Sequence, residues 1–198
     1  MAHSITKISF FVLLHTIYTL MIFESTRLTL TEISWDDLDF IHRLHSIPDV
    51  DKYNTLGIPK DIEETKRLIK PIIEYDTSIS RTAFIWKIEE IETGEKIGLA
   101  GMSLSADKFK LGEIYYKFHP DYWGKGFGTE VCKLLIQIGF EHFKLHKVEA
   151  GVATENAASV RILEKCGMTR EGLRRKILPI RGEWKDNYHY AIVEDDPR

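Results

Sequence analysis

At 198 residues, with 43% hydrophobic and 29% charged side chains, the chain has room for one domain and enough apolar matter to bury a sizeable core. A formal charge of -3, from 27 basic against 30 acidic residues, gives no electrostatic footprint for nucleic acid, and the composition excludes a disordered or fibrous polymer. Two cysteines, Cys132 and Cys166, cannot build a disulfide scaffold, lack the spacing of a zinc site and suit a reducing, cytoplasmic compartment.

The first feature along the chain is an almost unbroken apolar run, Ile8 to Phe23, interrupted by His15. As a secretory leader it lacks a small-residue cleavage site, since Glu24-Ser25-Thr26-Arg27 follows, and as a membrane span it is short of the ~20 apolar residues required. The expectation is that residues 1–21 are an N-terminal extension, with Met21 the natural start, and that one domain occupies residues 22–194.

Within that domain, Arg27 to Ile33 reads as a strand. Ser34 and Asp37 have the spacing of a capping box, with Asp in place of Glu, ahead of a helix carrying Leu38, Ile41, Leu44 and His45 at helical intervals. Pro48 should end that helix and begin a polar loop through Pro59. Asp61 then opens a second helix that Pro71 should kink or divide. Ala83–Glu89, Lys96–Ser105 and Leu111–Phe118 read as an antiparallel meander. A helix from about Thr129 to Phe143, a strand over Lys147–Ala153, and a helix over Asn156–Cys166 closed by Gly167 follow. A hairpin turning at Arg181-Gly182 completes the domain. The expected architecture is a single α/β domain with a mixed, mostly antiparallel sheet of about seven strands flanked by about four helices.

The densest chemical signal is Trp123-Gly124-Lys125-Gly126-Phe127-Gly128-Thr129, set between a strand and an amphipathic helix. Alternate glycines let the backbone approach a ligand and gather N–H groups into one concavity, and the helix start adds a positive dipole end suited to phosphate. A P-loop would need Gly-Lys-Ser/Thr at the end of the turn, and a dinucleotide fingerprint would need G-x-G-x-x-G after a first strand. Neither pattern is present.

The segment His119 to Glu130 instead resembles the pyrophosphate loop of the GNAT N-acetyltransferase superfamily, and more narrowly that of its Rim-type branch (ribosomal-protein N-terminal acetyltransferases and relatives). Glu155-Asn156 through Gly167-Met168, Gly182-Glu183-Trp184-Lys185-Asp186 with Tyr190, and Arg27-Leu28-Thr29-Leu30 agree with it in order. The resemblance implies an acetyltransferase that uses acetyl-CoA as co-substrate and no metal, moving acetyl to a primary amine. A protein N-terminus is the first reading, a small polyamine or aminoglycoside the second, and a non-catalytic acyl-CoA sensor the third. No nucleic-acid or membrane partner is expected, and a homodimer stays open.

The resemblance also implies where the cofactor lies. Its pantetheine arm would pair with the strand edge at Tyr116, Lys117 and Phe118, as an added strand does. Its pyrophosphate would rest on the amides from Lys125 through Gly126, Phe127 and Gly128 to Thr129, with Trp123 and Gly124 completing the cofactor-binding turn. Asn156 would bond the arm, and Arg161 would reach the adenosine phosphates. Glu113 matches the strand carboxylate that serves some members as base. Relatives place a leaving-group Tyr seven residues after the Asn; Leu163 stands there in this chain, so Ser159, or a water it holds, is the expected substitute.

Overall fold

The computed structural model describes residues 21–75, 80–105 and 108–197. Most of the N-terminal apolar run therefore lies outside the described residues. Two short strands, β1 (Ile22–Glu24) and β2 (Leu28–Glu32), lead through a 3-10 turn at Trp35–Asp37 into α1 (Leu38–His45), α2 (Pro48–Asp51) and α3 (Ile62–Ile73). The meander follows as β3 (Ala83–Glu90), β4 (Lys96–Leu104) and β5 (Leu111–Phe118). Next are α4 (Phe127–Gln137) with a π-helical extension over Ile138–His142, β6 (Lys147–Ala153), α5 (Ala157–Lys165), β7 (Thr169–Ile180) and β8 (Glu183–Val193).

One eight-stranded sheet runs β1-β2-β3-β4-β5-β6-β8-β7. Only the β5–β6 neighbours are parallel. The strand count thus exceeds the expected seven, because Ile22–Glu24 folds back on Thr29–Thr31 as a separate strand. Among the described residues there are five α-helices, against about four expected. Pro48 does not merely stop α1 but occupies the first helical position of α2, where its missing N–H costs nothing. Pro71 leaves α3 undivided: it lies in the last turn, and Arg67, whose carbonyl loses its partner, is exposed to water.

Period-two alternation in β4 and β5 divides the core into two layers. Ala100, Met102, Ile114 and Phe118 face Val131 and Leu135 of α4 and Leu163 of α5. On the opposite face Leu99 packs with Ile41 and Leu44 of α1 and Ile69 of α3. Each such buried aliphatic side chain contributes about 1.5–3 kcal/mol. The capping box expected before α1 is present, with the Asp37 carboxylate accepting from the Ser34 amide at 2.9 Å.

Candidate active site

The parallel pairing of β5 with β6 is short. It joins Leu111 to Lys147, Gly112 to Val148 and Glu113 to Glu149, and then ends. Beyond it β6 stays paired with β8 as far as Ala153, while β5 stays paired with β4 as far as Phe118. Among the described residues, the segment Ile114–Phe118 therefore has one ladder edge that meets no strand. A chain of amides could lie along that edge as an added strand.

At the far end of this opening stands the glycine turn. Gly124 and Gly126 take φ of 74° and 84°, a left-handed backbone that a side chain resists. Gly126 is the N-cap of α4, and among the described residues no side chain caps that helix end. Its first N–H groups are thus left to a ligand, and with the dipole they favour an anion. Gly128 serves another purpose: a Cβ there would come 2.6 Å from the Ile162 Cδ1, so its absence lets α4 approach α5 closely. Trp123 turns its indole N–H back onto the Phe118 carbonyl at 2.9 Å and stays half exposed, which shapes the turn. The Lys125 ammonium lies 4.9 Å over the Tyr122 ring. The residues expected for the cofactor thus fit it on two counts: an unpaired strand edge for the arm, and an uncapped helix start reached through small residues for the diphosphate.

Sequence reasoning attached no role in this turn to Arg27. Its guanidinium donates to the Lys125 carbonyl at 3.1 Å and to Glu130 at 2.7 Å, and it lies 4.4 Å over the Phe127 ring. Glu130 also accepts from the Arg27 amide and the Ser25 hydroxyl, each at 2.8 Å. Burial alone would raise the Glu130 pKa, but the Ser25 and Arg27 bonds outweigh it and hold the carboxyl below its ordinary value. The signal was legible only as an Arg and a Glu far apart in sequence.

Asn156 caps α5 by accepting the Ser159 amide at 3.2 Å. Ser159, half-buried, meets the sheet at Tyr116, whose hydroxyl is buried and makes no hydrogen bond among the described residues. Desolvation drives the Tyr116 pKa upward, and Ser159 pulls against the shift. Leu163 is 2% exposed and belongs to the core. Arg161 stands on the exposed side of α5. Cys166 donates to the Thr129 carbonyl at 3.5 Å and packs against the core.

On the other face of β5 stand Glu113, Tyr115 and Lys117, as alternation requires. Glu113 is exposed at the last paired position, directly across from Glu149. Gly151 of β6 makes room for it: a Cβ there would lie 3.3 Å from Glu113 Oε1 and 2.7 Å from Asn187 Nδ2. Asn187 is buried and holds the Val152 amide at 2.9 Å. Lys117 extends to His45 of α1, Nζ to Nε2 3.3 Å. The tip of the β7–β8 hairpin crosses to α2, where Arg181 donates to the Pro48 carbonyl at 2.8 Å and approaches Asp51 Oδ2 at 3.5 Å. Asp51 is 3% exposed, and its Oδ1 has no hydrogen-bond partner among the described residues. Three acidic residues of the helical segment are engaged already. Asp37 binds Lys87 and Lys96, Asp51 faces Arg181, and Asp61 caps α3 by accepting the Glu64 amide at 2.8 Å.

A family model described as an acetyltransferase (GNAT) domain matches residues 27–169. The chain is 32% identical, over 87% of its length and 97% of the relative's, to the Bacillus subtilis protein named "Uncharacterized N-acetyltransferase YoaA". A GNAT-family acetyltransferase structure from Bacillus anthracis superposes with a TM-score of 0.75 at 28% identity, covering 89% of this chain and 100% of that one. Two others share the fold at lower identity. A Vibrio cholerae spermidine N-acetyltransferase in complex with CoA and spermine has a TM-score of 0.76 at 24% identity, covering 87% of this chain and 98% of that one. A Vibrio fischeri ribosomal-protein-S5-alanine acetyltransferase has a TM-score of 0.75 at 22% identity, covering 90% of this chain and 99% of that one. Among the described residues no helix is long and apolar enough to cross a membrane.

Proposed function

The chain belongs to the GNAT acetyltransferase family, and from that premise we propose that its acceptor is the N-terminal amine of a protein, received on the face of β5 that carries Glu113. It is an acyl-CoA-dependent N-acetyltransferase with acetyl-CoA as co-substrate. The bound cofactor supplies an acetyl group activated as a thioester. The observation that carries the site assignment is the loss of β5–β6 pairing beyond Glu113, next to a helix start without a side-chain cap.

Each residue then has a physical task. The amides along Tyr116, Lys117 and Phe118 align the arm and can polarise the thioester carbonyl. The turn from Trp123 and Gly124 through Lys125, Gly126, Phe127 and Gly128 to Thr129 receives the diphosphate, with Trp123 shaping the turn. Asn156 holds α5 in place beside the arm, and Arg161 lies on the side where the adenosine phosphates would emerge. Glu113 takes the proton of the incoming ammonium through water, because only the neutral amine carries the lone pair that attacks. Ser159, beside the buried Tyr116 hydroxyl, returns a proton to the departing sulfur, whose conjugate acid has an ordinary pKa near 8.5. The resemblance to the Rim-type loop supports a protein N-terminus, and a cytoplasmic setting suits it.

A second acceptor class, a small polycationic amine such as a polyamine or aminoglycoside, is favoured by one observation. Glu113 and Glu149 stand side by side at the mouth of the opening. Calorimetry with acetyl-CoA, followed by thiol release with a panel of peptides against polyamines, tests both. Binding with release on peptides supports the first reading, and release confined to polyamines replaces it with the second. No binding at millimolar cofactor overturns the site assignment.

A further inference from the structure

Lys117 has so far been used only through its backbone. Its side chain has an unusual position. It leaves β5 within the segment that has no β6 neighbour, on the same face as Glu113, and ends 3.3 Å from the His45 imidazole. Other polar groups close around this face: Asp51 from α2, Arg181 from the hairpin tip, and Glu113 from β5 itself. An amine rooted in the strand that would carry the thioester arm is held at close quarters with it. Glu113 and Lys117 are four residues apart, about 13 Å of extended chain, so a thioester in the half of that span nearer Lys117 lies within the sweep of its side chain.

We infer that Lys117 is itself an acetyl acceptor, so that the protein acetylates its own cleft when cofactor is bound and no amine is supplied. The inference rests on the cofactor arm lying along β5. The chemistry balances without a further reactant. The neutral Nζ attacks the thioester carbonyl, a C–N bond forms, and the C–S bond breaks as coenzyme A leaves. The amide nitrogen releases its proton to water or to Glu113, and the sulfur takes one up. The product is an uncharged acetyl-lysine, which loses the His45 contact as an ammonium and fills space the acceptor would use.

Desolvation lowers the Lys117 pKa to about 8, although the Asp51 carboxylate pulls the other way. At pH 8 about half of such an amine is free, against under about 1% of an ordinary lysine near 10.4. His45 does not compete for the proton: burial, then the Lys117 charge, then His42, bring its pKa down to about 3. The neutral imidazole therefore holds Nζ as a hydrogen-bond acceptor and leaves it nucleophilic once deprotonated.

The test is peptide mapping by mass spectrometry of the full chain incubated at pH 8 with acetyl-CoA and no acceptor amine, beside a calorimetric titration of the same sample with acetyl-CoA. Acetylation of Lys117 at least about tenfold faster than of any exposed lysine is expected, a modest share of what holding two reactants together confers. The rate per molecule should not change with protein concentration, and the preference should vanish in urea. Lys117→Arg should leave that site unmodified, with thermal melting used to check that the variant folds. Measured binding with Lys117 modified no faster than exposed lysines overturns this inference and leaves the site assignment standing. A rate that rises with protein concentration overturns it too, because the transfer would then be between molecules. Absence of binding overturns both.

Discussion

Arg27 and Glu130, 103 residues apart in sequence, form one clamp behind the glycine turn, in which the Arg27 guanidinium also holds the Lys125 carbonyl at 3.1 Å. Fixing that carbonyl on the Arg27 side leaves the turn's amides directed to the opposite side, where an anion would sit.

The clamp predicts a selective defect in Arg27→Ala. Losing charge-assisted bonds, each worth about 1.5–3 kcal/mol, should raise KM for acetyl-CoA about tenfold or more while kcat changes little. Acetyl-pantetheine, a thioester without the diphosphate, should be used equally by both proteins. Steady-state kinetics with the two donors measures this, and equal losses with both donors would assign Arg27 to general folding instead.

Glu113→Gln should lower kcat/KM by about 10²-fold, the low end of what a positioned base contributes. The sign with pH follows from the acceptor. At low pH nearly every acceptor amine is protonated and needs a base, so the deficit is largest there; at high pH free amine accumulates and the two profiles converge. A pH–rate profile that keeps its shape in the variant removes Glu113 from the proton route.

Gly151→Ala probes the same carboxylate without touching it. The added methyl would press on Asn187 Nδ2 at 2.7 Å and crowd Glu113 Oε1 at 3.3 Å. Displacing a base by a fraction of its reach should cut kcat about tenfold, with acetyl-CoA affinity by calorimetry unchanged.

Asp37 governs stability rather than chemistry. It is fully buried beneath Lys87 and Lys96, at 3.2 and 2.5 Å. Burial pushes its pKa up, but the bonds from Lys96, the Ser34 amide and Lys87 prevail and hold it below the ordinary 3.8. Its contribution is therefore complete above pH 4 and is lost as pH falls through the lowered folded value. Asp37→Asn should destabilise the protein by about 2 kcal/mol at neutral pH, because two half-buried lysines lose their charge-assisted bonds to a buried carboxylate. Denaturant titrations from pH 3 to 7 should show the wild type approaching the variant only at the acid end.

Much of this was legible from residue order. Alternation in Leu111–Phe118 placed Glu113, Tyr115 and Lys117 on one face, and the glycines before Thr129 announced a turn where backbone meets ligand. Asn156 and Gly167 marked the two ends of α5. What stayed hidden depends on contacts distant in sequence. Nothing local reveals that Arg27 braces Lys125, that Lys117 reaches His45, or that Arg181 closes over Asp51. The acids near α1 to α3 illustrate the converse. Crowded together in the sequence, Asp37, Asp51 and Asp61 are separately engaged by lysines, an arginine and a helix start. Ile22–Glu24 escaped notice as a strand because three residues carry too little alternation to register.

The brief union of Leu111–Glu113 with Lys147–Glu149 has a kinetic corollary. Among the described residues it is the one strand pairing that joins β1–β5 to β6–β8. The hydrogen-bond ladders on its two sides are each closed by local neighbours, so amide deuteration should find the least protected ladder bonds at that junction, and occupancy of the gap should slow their exchange.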